Sequence, residues 1–171
     1  MVSLFSLLAP AEGALAQTHS VEAWGGLTED LKPNPFSGMT ARNSASTFGA
    51  NILFGRESAR TWGASASWSR FSPELHHIDL LAVLRLVRSG RIYVDVHGGL
   101  SRASWSFPTG QASQDETSID WLLGPVVGLV LPLGDRIALD LAGVTQFRWS
   151  PEYNDYLRLG ARVGLAVMSG G

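Results

Sequence analysis

The chain has 171 residues, of which 45% are hydrophobic and 16% charged, and this length suits one domain with a substantial core. Its net charge of -2 argues against binding of nucleic acid, which needs a basic face. Cysteine is absent, so the sequence offers no disulfide, thiolate nucleophile or cysteine-based metal site.

The first segment of the chain has the pattern of a secretory signal peptide. Residues 2–8 are short and apolar, and Ala14, Leu15 and Ala16 supply an A-x-A cleavage site before Gln17. We therefore expect residues 1–16 to be a signal peptide and residues 17–171 to form one domain. The alternative is an N-terminal helix that packs on that domain.

Beyond this segment, eight stretches alternate apolar with polar or small residues, which is the period of a β-strand. In the fifth stretch, for example, Ile92 and Val94 alternate with Tyr93 and Asp95. No stretch shows a sustained helical period with caps. The predicted strands cover residues 18–28, 45–57, 60–70, 76–87, 91–107, 117–131, 136–149 and 156–168.

The connections between these strands alternate between long and short. Long polar segments follow the odd-numbered strands, at residues 29–44, 71–75, 108–116 and 150–155. Tight links follow the second, fourth and sixth strands, at residues 58–59, 88–90 and 132–135. This predicts an antiparallel up-and-down sheet with large loops at one end, the asymmetry of outer-membrane barrels. We expect the segments 29–44 and 108–116 to be displayed outside.

The two faces of the predicted strands differ in chemistry. One face is nearly free of charge, as in Trp62 and Trp68 of the third strand, whereas the opposite face mixes small residues with arginine and aspartate. A water-facing surface normally carries many lysines and glutamates, yet Lys32 is the only lysine of the chain. Small residues suit the cramped interior of an eight-stranded barrel, so we assign the apolar face to lipid. A soluble lipocalin-type barrel, with the apolar face inward, is an alternative.

The inward face is expected to hold a structural network of ion pairs, because arginine can bond a carboxylate through two N–H groups at once. We expect Asp120 near Arg148, Asp140 near Arg162, and Arg85 diagonal to Asp95. Removal of one partner, as in Arg162→Ala, should then destabilise the barrel more than a loop substitution. The whole predicted network comprises Glu22, Asp79, Arg85, Asp95, His97, Asp120, Asp140, Arg148, Arg158 and Arg162.

Aromatic residues crowd the end with the long connections. Membrane barrels carry aromatic girdles at both interfaces, so we expect this group to form the upper girdle. Its members are Trp68, Phe71, Trp105, Phe107, Phe147, Trp149 and Tyr156, while Phe54 and Trp62 lie at the other end.

The pattern as a whole resembles the small outer-membrane β-barrels of the OmpA, OmpX and OmpW kind. The resemblance covers residues 18–168 and lies in the strand-like stretches TFGANILFG, TWGASASWS, IYVDVHGGLS and LRLGARVGLAV. It implies an all-β, eight-stranded antiparallel up-and-down transmembrane β-barrel of the bacterial outer membrane, monomeric and with a structural or adhesive role. Its expected partners are outer-membrane lipids and lipopolysaccharide, with an extracellular ligand at the long loops. We expect a plugged lumen, because aqueous channels occur in barrels of about 16 strands.

A membrane enzyme acting on lipid is the alternative function. Lipid A deacylases, which this chain resembles in size, place a histidine and a serine two residues apart on one strand face, but His19 and Ser20 are adjacent and point to opposite faces. Asp95, His97 and Ser101 do share a face, so a catalytic set is geometrically conceivable. We expect His97 to be a hydrogen-bonded lumen histidine instead, and we predict no catalytic residue.

Two further motifs resemble functional sites, a metal site and a phosphate-binding loop, but lack features that such sites need. His76 and His77 are adjacent, so on a strand they diverge and cannot chelate one metal ion together. Gly98 and Gly99 lack the lysine and the following helix of a phosphate-binding loop. We therefore expect neither a metal ion nor a cofactor.

Overall fold

The computed structural model describes residues 18–33, 40–55, 61–73, 75–109, 112–150 and 155–169. These residues form eight strands closed into a barrel, in which all neighbours are antiparallel and the first strand pairs with the last. This confirms the predicted eight-stranded up-and-down barrel. The strands are β1 (Thr18–Pro33), β2 (Thr40–Gly55), β3 (Thr61–Arg70), β4 (Leu75–Ser89), β5 (Ile92–Thr109), β6 (Ala112–Pro132), β7 (Ile137–Trp149) and β8 (Tyr156–Ser169).

One expectation falls outside the part of the chain that the structure describes. The predicted signal peptide, residues 1–16, lies outside the described residues. Within the described ranges, no helix has the length and hydrophobicity needed to cross a membrane.

The structure corrects the prediction that residues 29–44 and 108–116 are loops. Most of their residues belong to strands, because β1 and β2 stay paired up to Pro33 and Thr40, and β5 and β6 up to Thr109 and Ala112. Their polar composition suggested loops, but a paired strand that rises beyond an apolar wall can be polar on both faces. The 21 residues of β6 are roughly twice the 9–11 that a membrane needs. We call this side of the barrel the hairpin end.

The opposite side, which we call the turn end, carries the tight links. Between β4 and β5 the chain turns at Gly90 and Arg91, and Gly90 has a φ of 60°, a left-handed conformation that favours glycine. Between β6 and β7 the chain bends over residues 133–136. The remaining link, residues 56–60, lies outside the described part of the chain.

The apolar face of the strands is the outer wall of the barrel. Trp62, Ile119 and Trp121 are each about 60% exposed, and exposed large aliphatic residues of the strands other than β3 accompany them. The faces are therefore those that the sequence indicated, and the lipocalin-type alternative is wrong because it requires the apolar face inside. Outward aliphatic residues include Val21, Leu27, Ile52, Ile78, Leu80, Leu84, Ile92, Leu100, Leu123, Val127, Val163, Leu165 and Val167.

The small inward residues make room for large ones. A Cβ added at Gly128 would collide with the ring of Tyr93, which is fully buried. A Cβ at Gly164 would meet Glu22 Oε1 at 2.7 Å and the Cβ of Trp24 at 2.9 Å. Interior glycines thus allow an aromatic or acidic side chain of a neighbouring strand to cross the narrow lumen.

Candidate functional site

Buried charges fill the barrel interior in two clusters. The cluster nearer the hairpin end, which we call the upper cluster, consists of Asp30, His77, Asp79, Asp120, Arg148 and Arg158. The cluster nearer the turn end, which we call the lower cluster, consists of Glu22, Asn51, Arg85, Tyr93, Asp95, Asp140 and Arg162. Because side chains on a strand alternate between faces, the sequence places all these groups on the inner wall.

Arg158 is the centre of the upper cluster. Its Nε donates to Asp30 Oδ1 at 2.8 Å, and one terminal nitrogen donates to Asp79 Oδ2 at 2.9 Å. The other terminal nitrogen lies 2.6 Å from His77 Nδ1. These partners come from β1 and β4, so one guanidinium on β8 spans the lumen.

His77 joins a second arginine to this network. A guanidinium nitrogen of Arg148 lies 2.7 Å from His77 Nδ1, which therefore accepts from two arginines. Arg148 also donates from Nε to Asp120 Oδ2 at 2.6 Å and forms an ion pair with the same oxygen. The structure thus brings Asp120 and Arg148 together, as the strand register suggested.

In the lower cluster, Arg85 and Asp95 lie on adjacent strands and bond through two N–H groups. Arg85 Nε donates to Asp95 Oδ1 at 2.7 Å, and a terminal nitrogen donates to Oδ2 at 3.0 Å. The two residues are directly opposite in the ladder between β4 and β5, rather than diagonal as expected. The ladder shifts register just beyond Arg85, at a β-bulge.

The structure also corrects the expected pairing of Asp140 with Arg162, because the two side chains do not bond each other directly. The hydroxyl of Tyr93 stands between them: it donates to Asp140 Oδ1 at 2.8 Å and accepts from Arg162 at 3.3 Å. Arg162 also lies 3.9 Å from Glu22 Oε2, which accepts from Asn51 Nδ2 at 2.8 Å. Asp140 is opposite Gly164 in the ladder, so Arg162 is only its diagonal neighbour and the tyrosine fits between the two charges.

Each of these four arginines also stacks on an aromatic ring, an arrangement that suits the flat guanidinium. The distances from the guanidinium carbon to the ring centroid are 4.0–5.6 Å. The pairs are Arg85 with Tyr93, Arg148 with Tyr156, Arg158 with Phe71, and Arg162 with Trp24.

These contacts correct part of the predicted upper girdle. Tyr156 is buried inside the barrel, and the Phe71 ring packs against His77 and stacks with the Arg158 guanidinium. Trp68, Phe147 and Trp149 face outward as expected, and the side chains of Trp105 and Phe107 lie outside the described residues.

A cavity of about 30 Å³ separates the two clusters. Hydroxyl groups line one side, where Thr47 Oγ1 bonds Thr28 Oγ1 at 3.0 Å and Ser69 Oγ at 2.9 Å. Arg158 and Arg162 line it from above and below. A polar space of this size accommodates one or two water molecules.

The residues considered for catalysis face this interior. His97 Nε2 lies 4.0 Å from Asp95 Oδ2, and Ser101 is fully buried further along the same inner face. An enzyme of membrane lipid needs its nucleophile on the lipid side, and these side chains point away from it. His76 and His77 diverge as expected, with His76 on the outer wall and His77 inside. Within the described ranges, no three His, Asp or Glu side chains are grouped to hold a metal ion.

The predicted network omits four interior residues that the structure includes: Asp30, His77, Tyr93 and Asn51. Asp30 lies in a segment whose polar composition predicts a loop, and the sequence singles out His77 only with its neighbour as a metal ligand. Parity is a usable signal for Asp30, His77 and Tyr93, because each lies an even number of residues from a predicted inward residue on its own strand or on its extension. It gives no signal for Asn51, since the predicted network has no member on β2.

Comparison with known proteins identifies the fold. No family model matches the chain, and no curated protein matches it. Three solved outer-membrane barrels do match along nearly their whole length. The first, the N-terminal β-barrel domain of Pseudomonas aeruginosa OprF, is 13% identical with a TM-score of 0.55, over 89% of this chain and 99% of that one.

The other two comparisons agree. Neisserial surface protein A is 14% identical with a TM-score of 0.55, over 87% of this chain and 96% of that one. Ail, the attachment invasion locus protein of Yersinia pestis, is 10% identical with a TM-score of 0.60, over 88% and 98%. The chain therefore has the fold of small outer-membrane β-barrels.

Proposed function

We propose that this chain is a non-enzymatic barrel of the bacterial outer membrane, which anchors its extended hairpins at the cell surface in a structural or adhesive role. The observation that carries the proposal is the inversion of the usual soluble pattern: apolar side chains cover the outer wall, and charges fill the interior. Burial of charge with exposure of Leu, Ile, Val and Trp is stable only where the outer wall meets hydrocarbon.

We further propose that the lumen is plugged. The two charged clusters reach across it from opposite walls, and Arg148 and Arg158 are essentially fully buried. The cavity between the clusters is only about 30 Å³. This filling is what an eight-stranded barrel permits, since its interior is just wide enough for side chains.

A surface role rests on the hairpin end. The strands β5 and β6 remain paired up to Thr109 and Ala112, so they form a paired hairpin extension rather than a loop. Backbone pairing keeps such an extension ordered, and an ordered projection can present side chains to an extracellular ligand. We propose that ligand contact, where it occurs, uses this hairpin.

The membrane assignment predicts that charge on the outer wall is costly. Leu123 is 47% exposed in the middle of the outward face of β6, so Leu123→Arg places a cation in hydrocarbon. We expect this variant to lose about 2–4 kcal/mol of unfolding free energy. The measurement is denaturant unfolding of the protein refolded in lipid vesicles, followed by its heat-modifiable band on a gel.

Leu133→Arg is the matched control, because Leu133 is equally apolar and 62% exposed but lies in the turn after β6. It should change stability by less than about 0.5 kcal/mol. Equal stability of the two variants, with protein that stays soluble without detergent and does not change mobility on boiling, would contradict the membrane assignment.

The plug makes a separate prediction. In planar lipid bilayers, the refolded wild-type protein should show no steady single-channel conductance, because the charged clusters leave no continuous aqueous path. A sixteen-stranded porin recorded under the same conditions serves as the positive control. A stable open level that persists at low voltage would contradict a plugged lumen while leaving the membrane assignment intact.

A further inference from the structure

The outer wall near the hairpin end carries a basic patch that the interior network does not use. Arg70 on β3 and Arg102 on β5 are both exposed and face outward, and His76 lies between them on β4. Arg70 contacts the carbonyl of Ser72 at 3.4 Å, and Arg102 forms no ion pair within the described residues. Two arginines thus stand on the wall with their charge available.

The strand register brings these three residues within reach of one ligand. Arg70 is directly opposite His76, and His76 is opposite Ser104, so Arg102 is its diagonal neighbour. Direct neighbours in a sheet have Cβ atoms about 4.5–5.5 Å apart and diagonal neighbours about 7–8 Å apart. Arginine side chains are long enough to converge across these gaps above His76.

The outer wall around this patch differs from the interior in the sign of its described charges. Among the outward-facing side chains described on β3 to β6, none is aspartate or glutamate. The acidic side chains described on the same strands, Asp79, Asp95 and Asp120, point into the lumen. The wall separates charge by sign, which leaves a positive patch outside.

The patch sits at the upper border of the apolar wall. Directly below it in the register are Trp68 and Ile78, and next to Arg102 on β6 is Ile119, all exposed. Serine and threonine share the row of Arg70 and His76 on the neighbouring strands, at Ser46, Ser104 and Thr117. Tryptophan marks the level of lipid headgroups in membrane proteins, so the arginines lie at that level.

We propose that Arg70, His76 and Arg102 form a binding site for the phosphate group of an outer-leaflet lipid headgroup. Arginine binds phosphate through two N–H groups at once, and apolar residues below the patch would contact the acyl chains of the same lipid. The proposal rests on the membrane assignment above and adds to it a defined lipid contact.

The test measures lipid retention by native mass spectrometry. Wild-type protein refolded in neutral detergent is given equal amounts of bisphosphorylated lipid A and its phosphate-free form. We expect the phosphorylated lipid to be retained preferentially, and the preference to fall by about fivefold for each arginine lost in R70Q and R102Q. R70K and R102K should recover part of it, because lysine keeps the charge but not the paired N–H groups.

Arg91 and Arg136 provide the matched control, because both are exposed arginines at the turn end. The double variant R91Q/R136Q removes the same charge and should keep the preference. Loss of preference in this variant as well would mean general attraction of anions and would overturn the site. Competition by inorganic phosphate at concentrations equal to the lipid would overturn the lipid assignment in favour of a free-anion site.

Folding is checked on the same samples by the heat-modifiable shift on a gel. If the wild-type protein is heat-modifiable but shows no preference for the phosphorylated lipid, the phosphate site is contradicted and the membrane assignment stands. Wild type that shows no shift and needs no detergent contradicts the membrane assignment itself. A heat-modifiable R70Q/R102Q variant that keeps the full preference overturns the role of the two arginines.

Discussion

The two charged clusters inside the barrel use the same residue types but connect the strands differently. In the upper cluster, Arg158 on β8 reaches β1 and β4, and His77 on β4 joins it to Arg148 on β7. In the lower cluster, the shortest ion pair joins Arg85 to Asp95 on the adjacent strand. Both clusters tie together strands that no backbone hydrogen bond connects. The upper cluster does so through charged guanidinium groups, whereas the lower cluster does so through the neutral hydroxyl of Tyr93.

The two arginines that occupy corresponding places in the clusters should contribute unequally to stability. Arg158 is fully buried and has three partners at 2.6–2.9 Å. Arg162 is also buried, but its contacts are longer, at 3.3 Å to Tyr93 and 3.9 Å to Glu22. Removal of an arginine leaves its buried partners without a counter-charge, and the loss of unfolding free energy grows with the number and closeness of those contacts. Arg158 should therefore contribute more to stability than Arg162.

Arg158→Met should destabilise the barrel more than any other substitution considered in the interior. Methionine keeps much of the length of the side chain but leaves Asp30 and Asp79 buried without their cation. We expect the unfolding free energy in lipid vesicles to fall by about 3–5 kcal/mol, and by less for Arg162→Met. Denaturant titration of the two variants beside wild type measures the difference.

Arg136→Met controls for the loss of an arginine as such, because Arg136 is exposed at the turn end. The combination of Arg158→Met with Asp30→Asn and Asp79→Asn should recover much of the loss, since it removes the uncompensated charges as well. A larger effect at Arg162 than at Arg158 would reverse the proposed order of the two clusters.

Much of this architecture follows from the period of the sequence. Alternation assigns each strand its inner and outer face, because a side chain on a strand can point only to one side or the other. The pair of Asp120 and Arg148 follows from the same rule, since a tight turn between β6 and β7 limits the register. The alternation and the short turns are sufficient to predict a side-chain pair wherever its two members lie on adjacent strands.

Contacts across the lumen could not be obtained in this way. The bond between Arg158 and Asp79 joins β8 to β4, and it depends on the curvature of the closed barrel rather than on any ladder. Asp30 was missed because a polar composition does not distinguish a loop from a strand that continues beyond the wall. Tyr93 was assigned to the correct face, but only the packing of its ring against Gly128 shows how far it reaches.

The smallest expected effect concerns the lower cluster and Tyr93→Phe. This change removes the hydroxyl that joins Asp140 to Arg162, but it keeps the ring that fills the lumen. Because the two charges flank the former hydroxyl, they can approach and form the direct pair that the strand register alone suggested, and the net loss should be only about 1 kcal/mol. A double-mutant cycle of Asp140→Asn and Arg162→Met measures this: the coupling between Asp140 and Arg162 should be larger in the Tyr93→Phe background than in wild type. An unchanged coupling, or a loss as large as that of Arg158→Met, would show that the lower cluster is as rigid and as interdependent as the upper one.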